Sequence, residues 1–358
     1  MIKSLRLIDF RCFATLSMEL RDRGGIFIGD NAQGKTSILE AICVLLRLQS
    51  PRAKSMRPLV RFEATGAGVA GECWEQELTI RYGRGGVQLG IDGEEVSTQN
   101  QYLAQSGLIV WMGNEDIELV RGSGGIRRHY LDFLCSQLDL GYRRALSRYR
   151  RALKARNVLL KDPVSREAEL DAYTEILIEH GDYLHEVRQR IVAMLEPRAS
   201  EAQSNISGRD EILSLQYVAG SEGGMREALA VSRESERRQR QTLVGPHRDD
   251  VKIFIHGMPA SEFASEGQQR TIALALKLAQ GEAIEADAGK VPIYLLDDIF
   301  GELDPSRRNA LMAHLPVGAQ KFITTTSVDW LDGGWGEWPL YRVCDGKVSK
   351  WERDNSVE

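Results

Sequence analysis

The first third of the chain has a hydrophobic pattern that predicts strands around one helix. Apolar and polar residues alternate in SLRLIDF, GECWEQELTIRYG and GVQLGIDGEEVS, and a period of two is typical of strands with one buried face. The pattern instead predicts an apolar strand, a loop and an amphipathic helix in the segment GGIFIGDNAQGKTSILEAICVLLRL. Asp92-Gly93 predicts a hairpin turn. GLIVWM, from Gly107 to Met112, predicts a further apolar strand.

The middle of the chain changes to a helical pattern. Glycine is rare from about Gly125 to Ala202, and segments such as HYLDFLCSQLDLGYRRALSRYRRALKARNVLL dominate. Pro163 divides this region into two long helical segments, because proline removes a helical hydrogen bond.

Strands and helices alternate again from Gly208 onward. VKIFIHG, VPIYLLDDIF and KFITTT predict strands, and PLYRVCDGKVSKWE predicts a hairpin around Asp345-Gly346. We therefore predict an α/β domain, β-rich at its N-terminal end, that is built from residues 1–120 and 208–358. A helical domain, residues 121–207, is inserted in it.

Composition and charge narrow the class of protein. The formal net charge of the 358 residues is −5, so any site for a polyanion must be a local basic patch. No apolar run approaches the ~18 residues that a membrane span needs. The cysteines are scattered and odd in number, which predicts buried, reduced thiols and a cytoplasmic location. They are Cys12, Cys43, Cys73, Cys135 and Cys344.

The segment GDNAQGKT fits the phosphate-binding loop pattern G-x-x-x-x-G-K-S/T, and it lies between a predicted strand and a predicted helix. Backbone amides of such a loop converge on phosphate oxygens, while Lys35 reaches the β- and γ-phosphates and Thr36 binds Mg²⁺. The alternative is a plain glycine turn before a helix. The predicted ATP-binding residues are Gly29, Asp30, Asn31, Ala32, Gln33, Gly34, Lys35, Thr36 and Ser37.

Two carboxylates follow the apolar run in IYLLDDIF. Parallel sheets bind ligands at the carboxyl ends of their strands, so Asp297 is placed to hold Mg²⁺. Asp298 is placed to orient or deprotonate an attacking water. Such acids also cap ordinary loops. The presence of a phosphate loop in the same chain is what favours a role for them in nucleotide binding.

The segment SEGQQRTIALALKLAQGE predicts a helix with a capping box, in which Ser265 and Gln268 satisfy each other's backbone amides. This accounts for a core helix but not for Gly267, since glycine in a first turn costs up to about 1 kcal/mol relative to alanine. A bare first turn also lets an anion approach the free amides. Both a simple helix start and a second phosphate-binding surface remain open.

These motifs together resemble a known family. The segments S-x-G-Q-Q and LLDD followed by ELD are similar to the signature helix, Walker B strand and D-loop of ABC-type ATPases, in the branch that contains the SMC proteins. Within that branch the chain resembles the RecF family of bacterial DNA-repair and replication proteins, over nearly its whole length. The segments that carry this resemblance are LIDFRCF, GDNAQGKTSILEAI, GIRRHYLDF, VGPHRDD, SEGQQRTIALALKLA, LLDDIFGELD and FITTT.

The resemblance implies functions for further residues. In such heads, ATP on the phosphate loop of one subunit is contacted by the signature of another, here Ser265, Gly267 and Gln268. By the same comparison Asp304 lies in the D-loop across the interface, and Arg11 reaches the nucleotide. The switch position falls on Thr324 or Thr325, and Asn114 takes the place of the Q-loop glutamine as a ligand near Mg²⁺. Gly124 replaces a proline that is frequent in the family, which leaves the angle of the helical arm open.

A strongly basic segment suggests where DNA binds. The segment from Arg121 to Arg156 contains many arginines and only two acids. We predict that it contacts the DNA backbone rather than the bases. The predicted contacts are Arg127, Arg128, Arg144, Arg148 and Arg151. The alternative is a solvated helix face, paired with the acidic helix that follows.

Two other segments favour structural interpretations. His247, Asp249 and Asp250 in VGPHRDD lack a spaced partner for a metal site, and a polar turn before a strand is the favoured interpretation. We expect Trp330, Trp335 and Trp338 to pack a glycine-rich loop rather than to stack on bases.

The resemblance implies an ATP-dependent homodimer that binds gapped, single-stranded and double-stranded DNA and helps RecA loading with RecO and RecR. Slow ATP hydrolysis would release it, with ATP and Mg²⁺ as the cofactors. An ATP-switched tether of the SMC type, or a regulatory protein without significant turnover, remains the alternative. A transporter ATPase is disfavoured by the long helical insert.

Overall fold

The fold is described from a computed structural model over residues 1–53, 55–162, 166–327, 330 and 338–351. The chain forms two compact units, which are described separately. The first comprises Met1–Glu115 and Ile284–Glu358, and the second comprises Asp116–Ala283. Residues 208–283, which the sequence pattern placed in the ATPase domain, cluster with the helical segment because their strands and helices pack on its long helix.

The first unit begins with a mainly antiparallel, six-stranded sheet. Its strands alternate buried and exposed side chains, as the period of two predicted. The strand order is β2-β1-β4-β5-β6-β7. The bounds are Ser4–Phe10 (β1), Phe13–Glu19 (β2), Ala67–Cys73 (β4), Gln76–Gly83 (β5), Gly86–Ile91 (β6) and Glu94–Glu95 (β7). The predicted hairpin at Asp92-Gly93 joins β6 to β7, and both turn residues have positive φ.

A second sheet of the same unit positions the phosphate loop. Five of its strands run parallel, and a hairpin forms one edge, in the order β15-β14-β3-β13-β12-β8. The bounds are Gly24–Ile28 (β3), Ile109–Gly113 (β8), Ile293–Asp297 (β12), Lys321–Thr325 (β13), Leu340–Cys344 (β14) and Lys347–Lys350 (β15). The carboxyl ends of β3, β12 and β13 therefore meet at one edge. The unit also contains the helices Lys35–Arg47 (α1), Gln99–Gln105 (α2) and Pro305–His314 (α10).

The second unit packs helices on a small sheet. Its strands follow the order β11-β10-β9 and span Met258–Pro259 (β11), Asp250–Ile255 (β10) and Leu213–Val218 (β9). Its helices are Glu118–Arg121 (α3), Gly124–Leu138 (α4), Leu140–Leu159 (α5), Glu167–Ser207 (α6), Met225–Gln239 (α7) and Ala260–Phe263 (α8). The helix Glu266–Ala288 (α9) starts in this unit and ends in the sequence range of the first. Among the described helices, none has the length and apolarity required to span a bilayer.

The helical prediction for the middle of the chain is confirmed by α4, α5 and α6. Pro163 lies outside the described residues, but α5 ends and α6 begins on either side of it. All five cysteines are free thiols. The expectation that they are buried holds for Cys43, Cys73 and Cys135 and is wrong for Cys12 and Cys344. Cys12 is exposed because it lies in the tight turn between β1 and β2, and Cys344 because it borders the β14–β15 turn.

Candidate nucleotide-binding site

The phosphate loop lies between β3 and α1, as predicted. Gly34 caps α1 with a φ of 109°, a left-handed conformation that glycine adopts without strain. A Cβ at this position would lie 2.6 Å from Cys12 Sγ. The loop backbone is therefore packed too closely against the β1–β2 turn to admit a side chain at residue 34.

Lys35 holds the phosphate loop in shape. Its Nζ donates hydrogen bonds to the carbonyl oxygens of Gly29 at 2.7 Å and Asp30 at 2.8 Å. Burial lowers the pKa of Lys35, although Asp298 and Asp297 oppose this effect. The ammonium thus lies inside the loop, where a phosphate would be bound.

The carboxyl ends of β12 and β13 meet α1 at Asp297. Its Oδ1 accepts hydrogen bonds from Thr36 Oγ1 and from Thr324 Oγ1, each at 2.8 Å. Burial raises the pKa of Asp297 despite these two hydrogen bonds. A hydroxyl and a carboxylate oxygen side by side are donors of the kind that Mg²⁺ prefers, so this pair fits the predicted metal.

Asp298 follows in a strained conformation, with a φ of 54°. Its amide donates to Thr324 Oγ1 at 2.9 Å, and its carbonyl oxygen accepts from Asn114 Nδ2 at 3.3 Å. Burial raises the pKa of its carboxyl, against the charge of Lys35. A carboxylate with a raised pKa beside a phosphate loop is suited to accept a proton from water.

Arg11 is fixed at the mouth of the site by a buried acid. Its Nε and Nη2 donate to the two carboxylate oxygens of Glu40 at 2.7 Å each, and its Nη1 donates to Pro58 O at 2.9 Å. Glu40 is fully buried and also accepts from Ser50 Oγ. Arg11 is therefore pre-oriented toward the cleft, since bidentate pairing restricts the guanidinium.

These residues surround an open cleft of about 430 Å³. The lining contains most of the predicted loop residues together with four residues that the sequence did not single out as site residues: Cys12, Arg52, Pro58 and Val60. Gln33 lies outside the lining, since its Oε1 accepts a hydrogen bond from the amide of Asp345 at 2.7 Å. The predicted members of the lining are Arg11, Asn31, Ala32, Gly34, Lys35, Thr36, Ser37 and Asp298.

The signature helix begins with the predicted capping box. Ser265 N donates to Gln268 Oε1 at 2.9 Å, and Gln268 N donates to Ser265 Oγ at 3.3 Å. Gln268 Nε2 also donates to Glu211 Oε1 at 3.0 Å. Ser265 is exposed and Gly267 half-exposed, so the bare first turn of α9 remains open to an approaching group.

The remaining predicted site residues have ordinary structural partners. Asp304 is exposed and caps α10 by accepting from Arg307 N at 3.0 Å. Thr325 Oγ1 donates to Ser327 O at 2.8 Å and accepts from Trp330 Nε1 at 3.1 Å. Trp330 stacks on Phe300 with ring centroids 4.7 Å apart, in accordance with the predicted packing role. Trp335 lies outside the described residues.

The exposed face of α5 carries an unpaired basic stripe. Arg144, Arg148, Arg151 and Lys154 are exposed, and within the described part of the chain they form no ion pair. The acids at the start of α6 pair instead with α7, for example Glu175 with Arg226 at 2.6 Å. These four residues therefore do not pair with the acidic neighbour of the basic helix in the described part of the chain.

The other two predicted DNA contacts have internal partners. Arg127 donates from Nε and Nη2 to both carboxylate oxygens of Asp250 at 2.7 and 2.8 Å, and only 15% of its side chain is exposed. Arg128 Nη1 donates to Asp249 O at 2.6 Å. These arginines join α4 to β10 and to Asp249 just before it.

The VGPHRDD segment is the centre of a buried ion-pair network. Asp249 is fully buried and accepts hydrogen bonds from Arg188 Nη1 at 2.6 Å, His185 Nε2 at 2.9 Å and Tyr217 OH. Arg188 is itself buried and donates from Nη2 to Asp132 Oδ1 at 2.6 Å. Burial alone would raise the pKa of Asp249, but the hydrogen bond from His185 and the charge of Arg188 lower it.

His247 lies in the same segment and serves as a structural residue. Burial lowers its pKa to about 4, so the ring is neutral near pH 7. Its Nε2 lies 3.1 Å from Thr242 O and must be the donor, since a carbonyl only accepts. Its Nδ1 accepts from Tyr149 OH at 2.7 Å. Among the described residues no group of three or more His, Cys, Asp or Glu side chains is placed to hold a metal ion.

Sequence comparisons with known proteins all point to one family. Residues 1–333 match the model of the RecF/RecN/SMC N terminal domain. The chain is 33% identical over 371 residues to the DNA replication and repair protein RecF of Shouchella clausii, covering 98% of this chain and all of that protein. RecF of Staphylococcus aureus strain USA300 is 32% identical over 369 residues, with the same coverage.

Solved structures agree with this result. The chain superposes with a TM-score of 0.88 on the recombination mediator protein RecF with ATPrS, in the RecFOR pathway, at 31% identity and 98% coverage of both chains. A RecF structure with ATP has the same TM-score at 30% identity, covering 98% of this chain and 97% of that one. An Smc head domain from Pyrococcus furiosus has a TM-score of 0.54 at 18% identity, over 98% of this chain and 96% of that one, which shows the fold alone. The predicted fold class, an ABC-type ATPase head with an inserted helical part, is confirmed.

Proposed function

Since the chain belongs to the RecF family of DNA replication and repair proteins, we propose that it is an ATP-dependent DNA-binding protein that closes as a homodimer. The observation that carries this proposal is the convergence of Thr36, Thr324 and Asp297 beside a preformed phosphate loop. The RecF structures with ATP and with ATPrS support the same ligand.

The side chains of the cleft have separable tasks in this proposal. Thr36 and Asp297 would hold Mg²⁺, which would supply positive charge to offset the phosphates. Lys35 would move from the loop carbonyls to the phosphates, and Arg11 would close the mouth of the cleft. Asp298 accepts the proton of the attacking water, for which its raised pKa is suited. Thr324 orients both acids, Asp297 through its carboxylate and Asp298 through its amide.

The signature contributes the second half of the site. Ser265, Gly267 and Gln268 of one copy contact the γ-phosphate on the loop of another, and Asp304 and Asn114 act near the same phosphate. The exposed, glycine-containing first turn of α9 supports this, because free amides at a helix N-terminus favour anions. ATP thus links two copies, and slow hydrolysis releases them.

We further propose that DNA is bound through its backbone on the exposed face of α5. The unpaired stripe of Arg144, Arg148, Arg151 and Lys154 supports this contact. Membership of the family supports action on gapped, single-stranded and double-stranded DNA, together with RecO and RecR in RecA loading.

Wild-type protein is expected to sediment as a dimer with ATP and as a monomer with ADP or without nucleotide, because the γ-phosphate is the group that the signature contacts. Sedimentation velocity, with and without gapped DNA, makes the comparison. Lys35→Met should stay monomeric under all conditions. Equal sedimentation of the wild type with ATP and with ADP would contradict the proposed switch.

For the basic face, Arg148→Glu with Arg151→Glu should weaken DNA binding at least about tenfold at moderate salt and reduce the slope of log K against log salt by about two. Fluorescence anisotropy across a salt series measures both. Arg226→Glu is the matched control, since Arg226 is an exposed arginine of α7 that pairs with Glu175. If both variants lose affinity equally, α5 has no special role.

A further inference from the structure

A buried acid contacts the signature turn from within the second unit. Glu211 lies in the connection between α6 and β9, and only 5% of it is exposed. Its Oε1 accepts a hydrogen bond from Gln268 Nε2 at 3.0 Å, and its Oε2 accepts one from Gln203 Nε2 at 2.7 Å. Gln203 is fully buried near the end of α6. Glu211 therefore bridges α6 to the first turn of α9.

This bridge contains two polar groups that are costly to bury. A carboxylate that leaves water needs donors or a cation to offset its lost hydration. Among the described residues Glu211 forms no ion pair, and its carboxylate has only the two glutamine amides as partners. The Oε1 of Gln203 is also buried and accepts no hydrogen bond from the part of the chain that the structure describes. Native proteins keep few such groups, and they concentrate where a function constrains the geometry.

The acid determines how the amide of Gln268 is oriented. A carboxylate oxygen only accepts hydrogen bonds, so Gln268 has to turn its Nε2 toward Glu211. Its Oε1 then faces Ser265 N, from which it accepts the capping-box hydrogen bond at 2.9 Å. If the amide were reversed, Nε2 would face the amide donor of Ser265, and the capping box could not close.

We propose that Glu211 is a positioning residue for the signature. By orienting Gln268 it holds the first turn of α9 in the conformation that receives the γ-phosphate of a second copy. The inference rests on the proposed function, in which that turn contacts the phosphate, and Glu211 acts through Gln268 rather than by contact with ATP. The phosphate loop belongs to the first unit and Glu211 to the second, so ATP binding by the monomer does not depend on the bridge.

Two variants of Glu211 separate its hydrogen bonds from its packing. Glu211→Leu fills a similar volume without an acceptor, and it should raise the dissociation constant of the ATP-bound dimer about tenfold or more. Glu211→Gln can keep the bridge, because its oxygen accepts from Gln268 and its amide group donates to the Oε1 of Gln203 once that amide reverses. Its dissociation constant should stay within about threefold of the wild type, as measured by sedimentation equilibrium with ATP.

The α6 end of the bridge supplies an independent variant. Gln203→Leu should raise the dissociation constant by about threefold, and its combination with Glu211→Leu should lose little more than Glu211→Leu alone. Glu196→Leu is the matched control, since Glu196 is an acid of α6 whose Oε1 accepts from Leu215 N at 3.2 Å. It should dimerise as the wild type does. Titration with a fluorescent ATP analogue at protein concentrations below dimerisation should give the same affinity for every variant.

The outcomes separate this inference from the function on which it rests. If the wild type fails to dimerise with ATP, the proposed function fails and the inference with it. If the wild type dimerises and Glu211→Leu dimerises equally well, only the inference is overturned. An equal loss in Glu211→Gln and Glu211→Leu would also overturn it, because the orientation of Gln268 would then not be what the acid supplies. Should calorimetry show that Glu211→Leu is unfolded, Gln203→Leu decides, and an unchanged dimer for that variant refutes the proposal.

Discussion

A one-to-one mixture of Lys35→Met and Ser265→Arg chains is expected to dimerise with ATP, although neither chain does so alone. Each composite site takes its phosphate loop from one copy and its signature from the other. In the mixed dimer one site combines both defects, while the other combines the intact loop of Ser265→Arg with the intact signature of Lys35→Met. The mixture should therefore recover up to half of the wild-type complement of closed sites.

Sedimentation velocity with one of the two chains fluorescently labelled separates the mixed dimer from any homodimer. Ser265→Arg alone should still bind ATP as a monomer, because its phosphate loop and the Thr36–Asp297 pair are unchanged. Dimerisation of Ser265→Arg alone, or no recovery in the mixture, would refute the contact in trans.

Asp249→Asn is expected to destabilise the second unit by about 3–5 kcal/mol, the usual cost of removing one partner from a buried ion pair. Arg188 would keep Asp132 but lose the charge that faces its Nη1 at 2.6 Å. For a domain of this size the loss corresponds to a drop in Tm of roughly 6–20 °C. Differential scanning calorimetry would detect it.

Glu175→Gln supplies the control for the buried pair. It breaks the Arg226–Glu175 pair, which is exposed on both sides, and should leave the Tm where it is. A Tm of Asp249→Asn within about 2 °C of that control corresponds to less than about 1 kcal/mol and would show that the buried network contributes little.

Elements that depend on neighbouring residues could be predicted from the sequence. The capping box of Ser265 and Gln268 formed as expected because its two partners are three residues apart. The turns at Asp92-Gly93 and Asp345-Gly346 followed from residues that tolerate positive φ. The phosphate loop followed from its glycines and flanking apolar runs.

Contacts between distant residues could not be predicted in this way. Arg127 was assigned to DNA because it lies in a basic segment, yet its partner Asp250 is 123 residues away. Nothing near Arg11 in the sequence indicates Glu40 as its anchor, and Arg52 enters the cleft from a loop without regular periodicity. The basic stripe of α5 is left unpaired because acids of α6 pair with α7, and the sequence does not indicate which helix those acids face.

The hydrogen bonds of Lys35 have a consequence for the affinity of the loop. The Nζ of Lys35 already donates to the carbonyls of Gly29 and Asp30. ATP therefore has to replace these two acceptors before its phosphates can bind the ammonium. Exchange of one set of hydrogen bonds for another yields only a modest net free energy. We therefore expect the fraction of phosphate loops that hold ATP to follow the ATP concentration in solution. Each copy then binds or releases ATP according to the local supply before it dimerises.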